Sequence, residues 1–118
     1  MLVIVNDSPL GSHSSLTALR FCIAASSRGH VVLQVFFYLD GVYQQLDIKV
    51  HETAEPDLGS RWREFAAGGE TELVVCGAAS HRRIPQQLSQ SSGFRQGSLV
   101  EMLDLSTRVG RLLTFGGP

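Results

Sequence analysis

Residues 1–37, "MLVIVNDSPLGSHSSLTALRFCIAASSRGHVVLQVFF", carry the reading that decides the fold. They open on "MLVIV" (1–5), a short apolar run rich in β-branched residues, which suits a strand buried on both faces. Polar residues 6–15 follow. Leu16, Leu19 and Ile23 then recur at spacings of three and four, a helical stripe. The stripe stops at "SSRGH", where Gly29 is suited to cap a helix C-terminus. "VVLQVFFYL" (31–39) is a second buried-strand run, closed by the turn dipeptide Asp40-Gly41.

The same alternation continues downstream. "GVYQQL" (41–46) reads as a helical turn and "DIKVHETAEP" (47–56) as a loop or edge strand. A second helix covers "DLGSRWREFAA" (57–67), with Leu58, Trp62 and Phe65 facing inward and Gly68-Gly69 ending it. "TELVVCG" (71–77) is a third strand. The polar stretch "IPQQLSQSSGFRQG" (84–97) has few apolar anchors and reads as a mobile loop. Ser98 and Glu101 form a capping box that starts a helix through Leu105. "RVGRLLTFG" (108–116) is a final strand, and residues 116–118 a flexible tail.

Strand and helix thus alternate along one domain, residues 1–118. The expected fold is α/β: a three-layer sandwich around a mostly parallel, roughly five-stranded sheet with right-handed crossovers. Ligands of such sheets bind beyond the carboxyl ends of the strands, near the point where strand order reverses. Cys76, the 6–15 loop and Tyr38-Leu39-Asp40-Gly41 all fall at expected carboxyl ends.

Composition narrows the function classes. With 118 residues, 43% hydrophobic and 18% charged, the chain can close a core without disulfides or metals. A net charge of −1 argues against a surface that tracks phosphates, so no direct nucleic-acid binding is expected. The start of the chain lacks a basic leader, and no apolar run approaches the roughly 18 residues of a membrane span. Two cysteines inside apolar segments are no disulfide framework, which favours a reducing compartment, the cytoplasm.

Cys76 stands where an apolar strand ends in small residues, with Arg82 and Arg83 beyond them. A free thiol has a pKa of about 8.5, and a helix N-terminus or nearby cations bring it into the reactive range. Gly77, Ala78 and Ala79 allow backbone N–H groups to approach the sulfur, and Arg82 and Arg83 supply positive charge. The bland alternative is a small buried core residue. Strand-end position and two close arginines favour chemistry. His81, the histidine nearest in sequence, is a proton-transfer candidate or simply an exposed loop residue. Cys22, beside Leu19 and Ile23, reads as core packing.

The spacing Cys76–x5–Arg82 also matches the cysteine-phosphatase pattern, in which loop N–H groups and the arginine cradle a phosphate. That pattern further asks for histidine before the cysteine, a glycine late in the loop and serine or threonine after the arginine. Here those places hold Val75, no glycine, and Arg83. Loop 6–15 lacks nucleotide-binding glycine motifs, and an N-cap among Ser12, Ser14 and Ser15 is its simplest reading. His13, His30, His51 and His81 show no metal-ligand spacing, and Glu52, Glu55 and Asp57 read as solvated charge. No cofactor and no metal are expected.

Three segments together resemble the TusD/DsrE family of small sulfurtransferase subunits. "SRGHVVLQVFFYLDGVY" (27–43) is similar to the family's Gly-His turn, Phe-Phe-Tyr strand and Gly-Val-Tyr turn. "VCGAASHRR" (75–83) is similar to its cysteine followed by two alanines and paired arginines, and "GFRQGSLVEMLDL" (93–105) to its late Gly-Phe and helix. The resemblance implies a DsrE-like fold and a persulfide-carrying cysteine at Cys76. It further implies a hexamer with sister subunits or with itself, and exchange of sulfur with a TusE/DsrC-type carrier protein. It leaves open tRNA 2-thiouridine synthesis or sulfur oxidation, and a non-catalytic assembly subunit as the alternative. The chain departs from the family at Gln44-Gln45-Leu46, where an asparagine is frequent, and at His81, where an apolar residue is common.

Overall fold

A computed structural model describes residues 1–10, 13–46, 57–88 and 93–117. Five strands form one sheet: β1 (Leu2–Val5), β2 (Gln34–Phe37), β3 (Glu72–Cys76), β4 (Phe94–Gly97) and β5 (Leu112–Phe115). Four α-helices separate them: α1 (Ser14–Ser27), α2 (Leu58–Ala67), α3 (Gly77–Arg83) and α4 (Leu99–Ser106). A 3-10 helix, Leu39–Gln45, follows β2 and is called the bridge below. The sheet order is β4-β3-β2-β1-β5 and every neighbouring pair is parallel.

Register assigns the faces. Parallel partners share a face and successive residues alternate. Val35 pairs Val3 and Leu73, and Phe37 pairs Val5 and Val75, on one face. There Trp62 of α2 meets Phe37 edge-on at 5.3 Å, and Phe21 of α1 meets Phe115 of β5 at 5.5 Å. Phe36, Val74 and Arg95 lie on the other face, where Glu101 of α4 reaches Arg95. Helices therefore cover both faces, and β1 and β2 are buried along their whole length.

The chain steps one way from β1 to β4, then α4 carries it back across the sheet to β5. Right-handed crossovers put α1, α2 and α3 on one face and α4 on the other. The connections leaving β3 and β4 thus part to opposite faces. The crevice expected at a reversal of strand order falls between the carboxyl ends of those two strands.

Several expectations change in detail. The buried stripe of α1 runs through Ser15, Ala18, Leu19, Cys22 and Ala25, while Ile23 is 45% exposed. The stripe is centred one residue earlier because the small side chains Ala18, Cys22 and Ala25 let α1 lie close to the sheet. The second strand is only Gln34–Phe37, with Val31 and Leu33 exposed. Asp40-Gly41 is part of the bridge and not a simple turn. Residues 84–97, expected to be a mobile loop, include a short 3-10 turn (Gln86–Leu88) and the edge strand β4. Polar β4 was illegible because an edge strand buries little: only Phe94 packs inward, edge-on to Phe37 at 5.4 Å.

His13, the N-cap of α1, makes no capping hydrogen bond through its side chain. Ser14 donates to Asp7 Oδ2 and Ser15 donates to the carbonyls of Asp7 and Ser8. Asp57 is the N-cap of α2, accepting from Ser60 N and Oγ, so it does structural service and is not merely solvated. Ser98 caps α4 as expected, accepting from Glu101 N at 3.0 Å, although the Glu101 carboxylate turns to Arg95. Gly29, at φ +87°, follows α1. The readings of 47–56, Ser12, residues 89–92 and Pro118 lie outside the described residues.

Candidate functional site

Cys76 is the last residue of β3 and the N-cap of α3, paired in register with Gly97 at the end of β4. It therefore sits at the carboxyl ends of β3 and β4, where the connections part to opposite faces. An apolar strand buried between β2 and β4 delivers it there, and Gly77 begins the helix at once. Its exposure is 3%, so the thiol lies under the surface of the single chain and not at an open edge. Its side chain makes no capping hydrogen bond to α3. The approach of backbone N–H groups expected from Gly77, Ala78 and Ala79 does not become a bond in this state.

The other candidates spread along α3. Gly77 is half-buried and Ala78 exposed, while Ala79 and Ser80 are buried. His81, Arg82 and Arg83 occupy the last turn of the helix. With a rise of 1.5 Å per residue, Arg82 starts about 9 Å along the axis from Cys76. Arg82 and His81 are exposed. Arg83 donates from Nε to Asp40 Oδ1 at 2.8 Å and from Nη1 to the Ala79 carbonyl at 3.3 Å. Its charge is turned to the bridge and not to the sulfur. A phosphate cradle needs its arginine folded back over the cysteine, and a helix from 77 to 83 holds Arg82 away from it.

The helical turn expected at "GVYQQL" and the strand end expected at Tyr38-Leu39-Asp40-Gly41 form one element, the bridge, whose buried side chains the sequence pattern does not show. It crosses the carboxyl edge of the sheet, with Gly41 N donating to Asn6 O at 3.1 Å. A β-carbon on Gly41 would fall 2.0 Å from the Val5 carbonyl oxygen, so only glycine permits this approach. Gln44 and Gln45, noticed above only as a departure from a family pattern, are both buried. Gln44 Nε2 donates to Asp7 O and Ser15 Oγ, and its Oε1 accepts from Trp62 Nε1 at 3.2 Å. Gln45 Nε2 donates to Val42 O and to Ser80 Oγ of α3, both at 3.0 Å. Two uncharged long side chains in a row beside a buried tryptophan were the available signal.

Cys22 is wholly buried among core residues, and burial pushes its thiol up to about 12. Both cysteines are buried and belong to the same core cluster, Cys22 beneath α1 and Cys76 at the strand–helix junction. A cleft of about 690 Å³ opens elsewhere, lined by Ile23, Val32, Arg61, Phe65 and Thr71. It lies at the amino ends of β2 and β3, the end of the sheet opposite to Cys76. Among the described residues no helix is long and apolar enough to cross a membrane.

Comparison with known proteins places this geometry. Residues 1–115 match the model of the DsrE/DsrF-like family. A Vibrio vulnificus protein named sulfurtransferase TusD homolog is 34% identical over 96% of this chain and 95% of its own. A Pseudomonas aeruginosa protein of the same name is 32% identical over 92% of each chain. The crystal structure of the YchN protein from E. coli superposes with a TM-score of 0.78 over 97% of each chain, at 23% identity, a likeness of fold.

Proposed function

The chain belongs to the DsrE/DsrF-like family, and from that premise we propose that it is a sulfur-relay protein that carries sulfane sulfur as a persulfide on Cys76. The observation that carries this reading is the place of Cys76: the carboxyl end of β3, at the strand-order reversal, in a chain whose relatives are named sulfurtransferases. The Cys76 thiolate attacks the outer sulfur of a donor persulfide. The donor's S–S bond breaks, the donor thiolate leaves, and a new S–S bond makes Cys76 a persulfide. An acceptor thiolate then attacks that outer sulfur and Cys76 departs as thiolate. One S–S bond forms as another breaks in each step, so no external oxidant is needed.

The acceptor in this reading is a small carrier of the TusE/DsrC type, met within a cytoplasmic hexamer of like or sister subunits. The product sulfur serves tRNA 2-thiouridine synthesis or sulfur oxidation. Exposed His81 and Arg82 offer a docking surface at the far end of α3. Gly77 and Ala78 line the approach to the sulfur.

Mass spectrometry after incubation with a low-molecular-weight persulfide tests the reading. Cys76 should gain the mass of one sulfur atom, and Cys76→Ser should abolish the gain. An adduct on Cys22, or one that survives the substitution, overturns the assignment.

The burial of Cys76 favours a second reading, a non-catalytic assembly subunit. It predicts a complex whose sulfur transfer survives Cys76→Ser.

A further inference from the structure

Gln44 and Gln45 are consecutive, both buried, and tied to different parts of the molecule. Gln44 has partners on both amide atoms, in the β1–α1 loop, α1 and α2. It anchors the bridge to the body of the domain. Gln45 faces α3 instead, where its Nε2 donates to Ser80 Oγ, one helical turn beyond Cys76. A second tie, Arg83 Nε to Asp40 Oδ1, joins the same two elements near the surface. The two ties hold α3 against an anchored bridge, and Cys76 is the N-cap from which α3 starts.

The Gln45 tie is incomplete. Its Oε1 is buried and has no protein hydrogen-bond partner among the described residues, in a residue only 1% exposed. Gln45 thus makes fewer bonds than Gln44, and its bond to Ser80 is the one that movement of α3 away from the bridge would break.

We propose that Gln45 is a positioning residue that acts through Ser80 as a latch, holding α3 against the bridge and so setting how often the Cys76 sulfur is exposed to a partner. The inference rests on Cys76 being the reactive thiol, but the latch is read out separately from sulfur loading. Opening is rare while Gln45 and Ser80 are joined, and a docking carrier that displaces their bond gains access to the sulfur.

The test is the rate of iodoacetamide modification of each cysteine, read peptide by peptide, in the intact chain. Gln45→Ala and Ser80→Ala should each speed Cys76 modification about five- to tenfold, the factor one hydrogen bond supports. Cys22 should keep its slow rate, and the double variant should be no faster than the faster single one. Ser80→Ala removes only one oxygen and keeps the test decisive if Gln45→Ala folds poorly. Unchanged Cys76 rates, equal acceleration of Cys22, or multiplied factors in the double variant would each sink the latch. A chain whose Cys76 responds as described yet never gains sulfur refutes the sulfur-relay reading and leaves the latch standing.

Discussion

Arg95 grips Glu72 across neighbouring strands with two hydrogen bonds, Nε to Oε2 at 2.9 Å and Nη2 to Oε1 at 3.0 Å. Gln34 adds a third donor to Glu72 Oε1, and Arg95 Nη1 reaches Glu101 of α4 at 3.2 Å. A polar edge strand with one aromatic anchor is thus fastened to β3 and α4 by charge.

This gives a pH dependence. The Arg95 hydrogen bonds hold the Glu72 carboxyl below its usual range, against partial desolvation and with help from Gln34. A depressed carboxyl contributes stability above the unfolded value of about 4.3 and loses it as pH falls through the folded value. Both side chains are 47% exposed, so the pair contributes no more than about 1 kcal/mol. Arg95→Met should flatten this acid limb in urea unfolding followed from neutral pH downward. An unchanged acid limb would show that the pair is solvated and inert.

Cys22 predicts the opposite limb. Its folded thiol value, raised to about 12, exceeds the unfolded value near 9, so its contribution is complete below 9 and lost as pH climbs towards 12. The slope in that window is about 1.4 kcal/mol per pH unit. Cys22→Ala should remove that share of the alkaline loss in denaturation curves, at a cost in neutral stability from the lost packing.

Gln44 is a buried hub. Gln44→Leu leaves Trp62 Nε1 without its partner and removes a donor from the Ser15 hydroxyl, and should cost about 3 kcal/mol. Trp62→Phe removes the donor together with part of the ring. Gln44→Leu should therefore cost less in a Trp62→Phe background than in the natural chain, a coupling measurable in a double-mutant cycle.

Gly41→Ala forces a β-carbon against the Val5 carbonyl at 2.0 Å. Bridge and β1 must separate, at a cost of about 3 kcal/mol. Thermal unfolding should show a much lower midpoint than for Gly69→Ala, where an added β-carbon meets nothing within 4 Å.

The apolar runs 1–5, 31–39 and 71–77 were legible because a parallel strand buried on both faces has no polar alternation to hide in. Trp62 and the Ser98 cap were legible from spacing alone. Strand β4 was not, since "FRQG" gains its stability from the Arg95–Glu72 pair and from Phe94 against Phe37, all contacts with distant residues. Hydropathy places Ile23 in the helical stripe, whereas close packing prefers the small side chains Ala18, Cys22 and Ala25. The capping-box glutamate was half right: its N–H meets Ser98, but a guanidinium outcompetes a backbone N–H for its carboxylate.

What the sequence determined by itself is the alternation of strands and helices and the position of Cys76 at the end of one strand. Both follow from local hydrophobic pattern, which a chain carries before it folds. Tertiary structure alone decided that the thiol is covered, that Arg83 turns to Asp40, and that Gln45 holds Ser80. Those relations join residues 35 to 43 positions apart. They exist because strand order brings the bridge beside α3, and burial then selects which polar groups must pair.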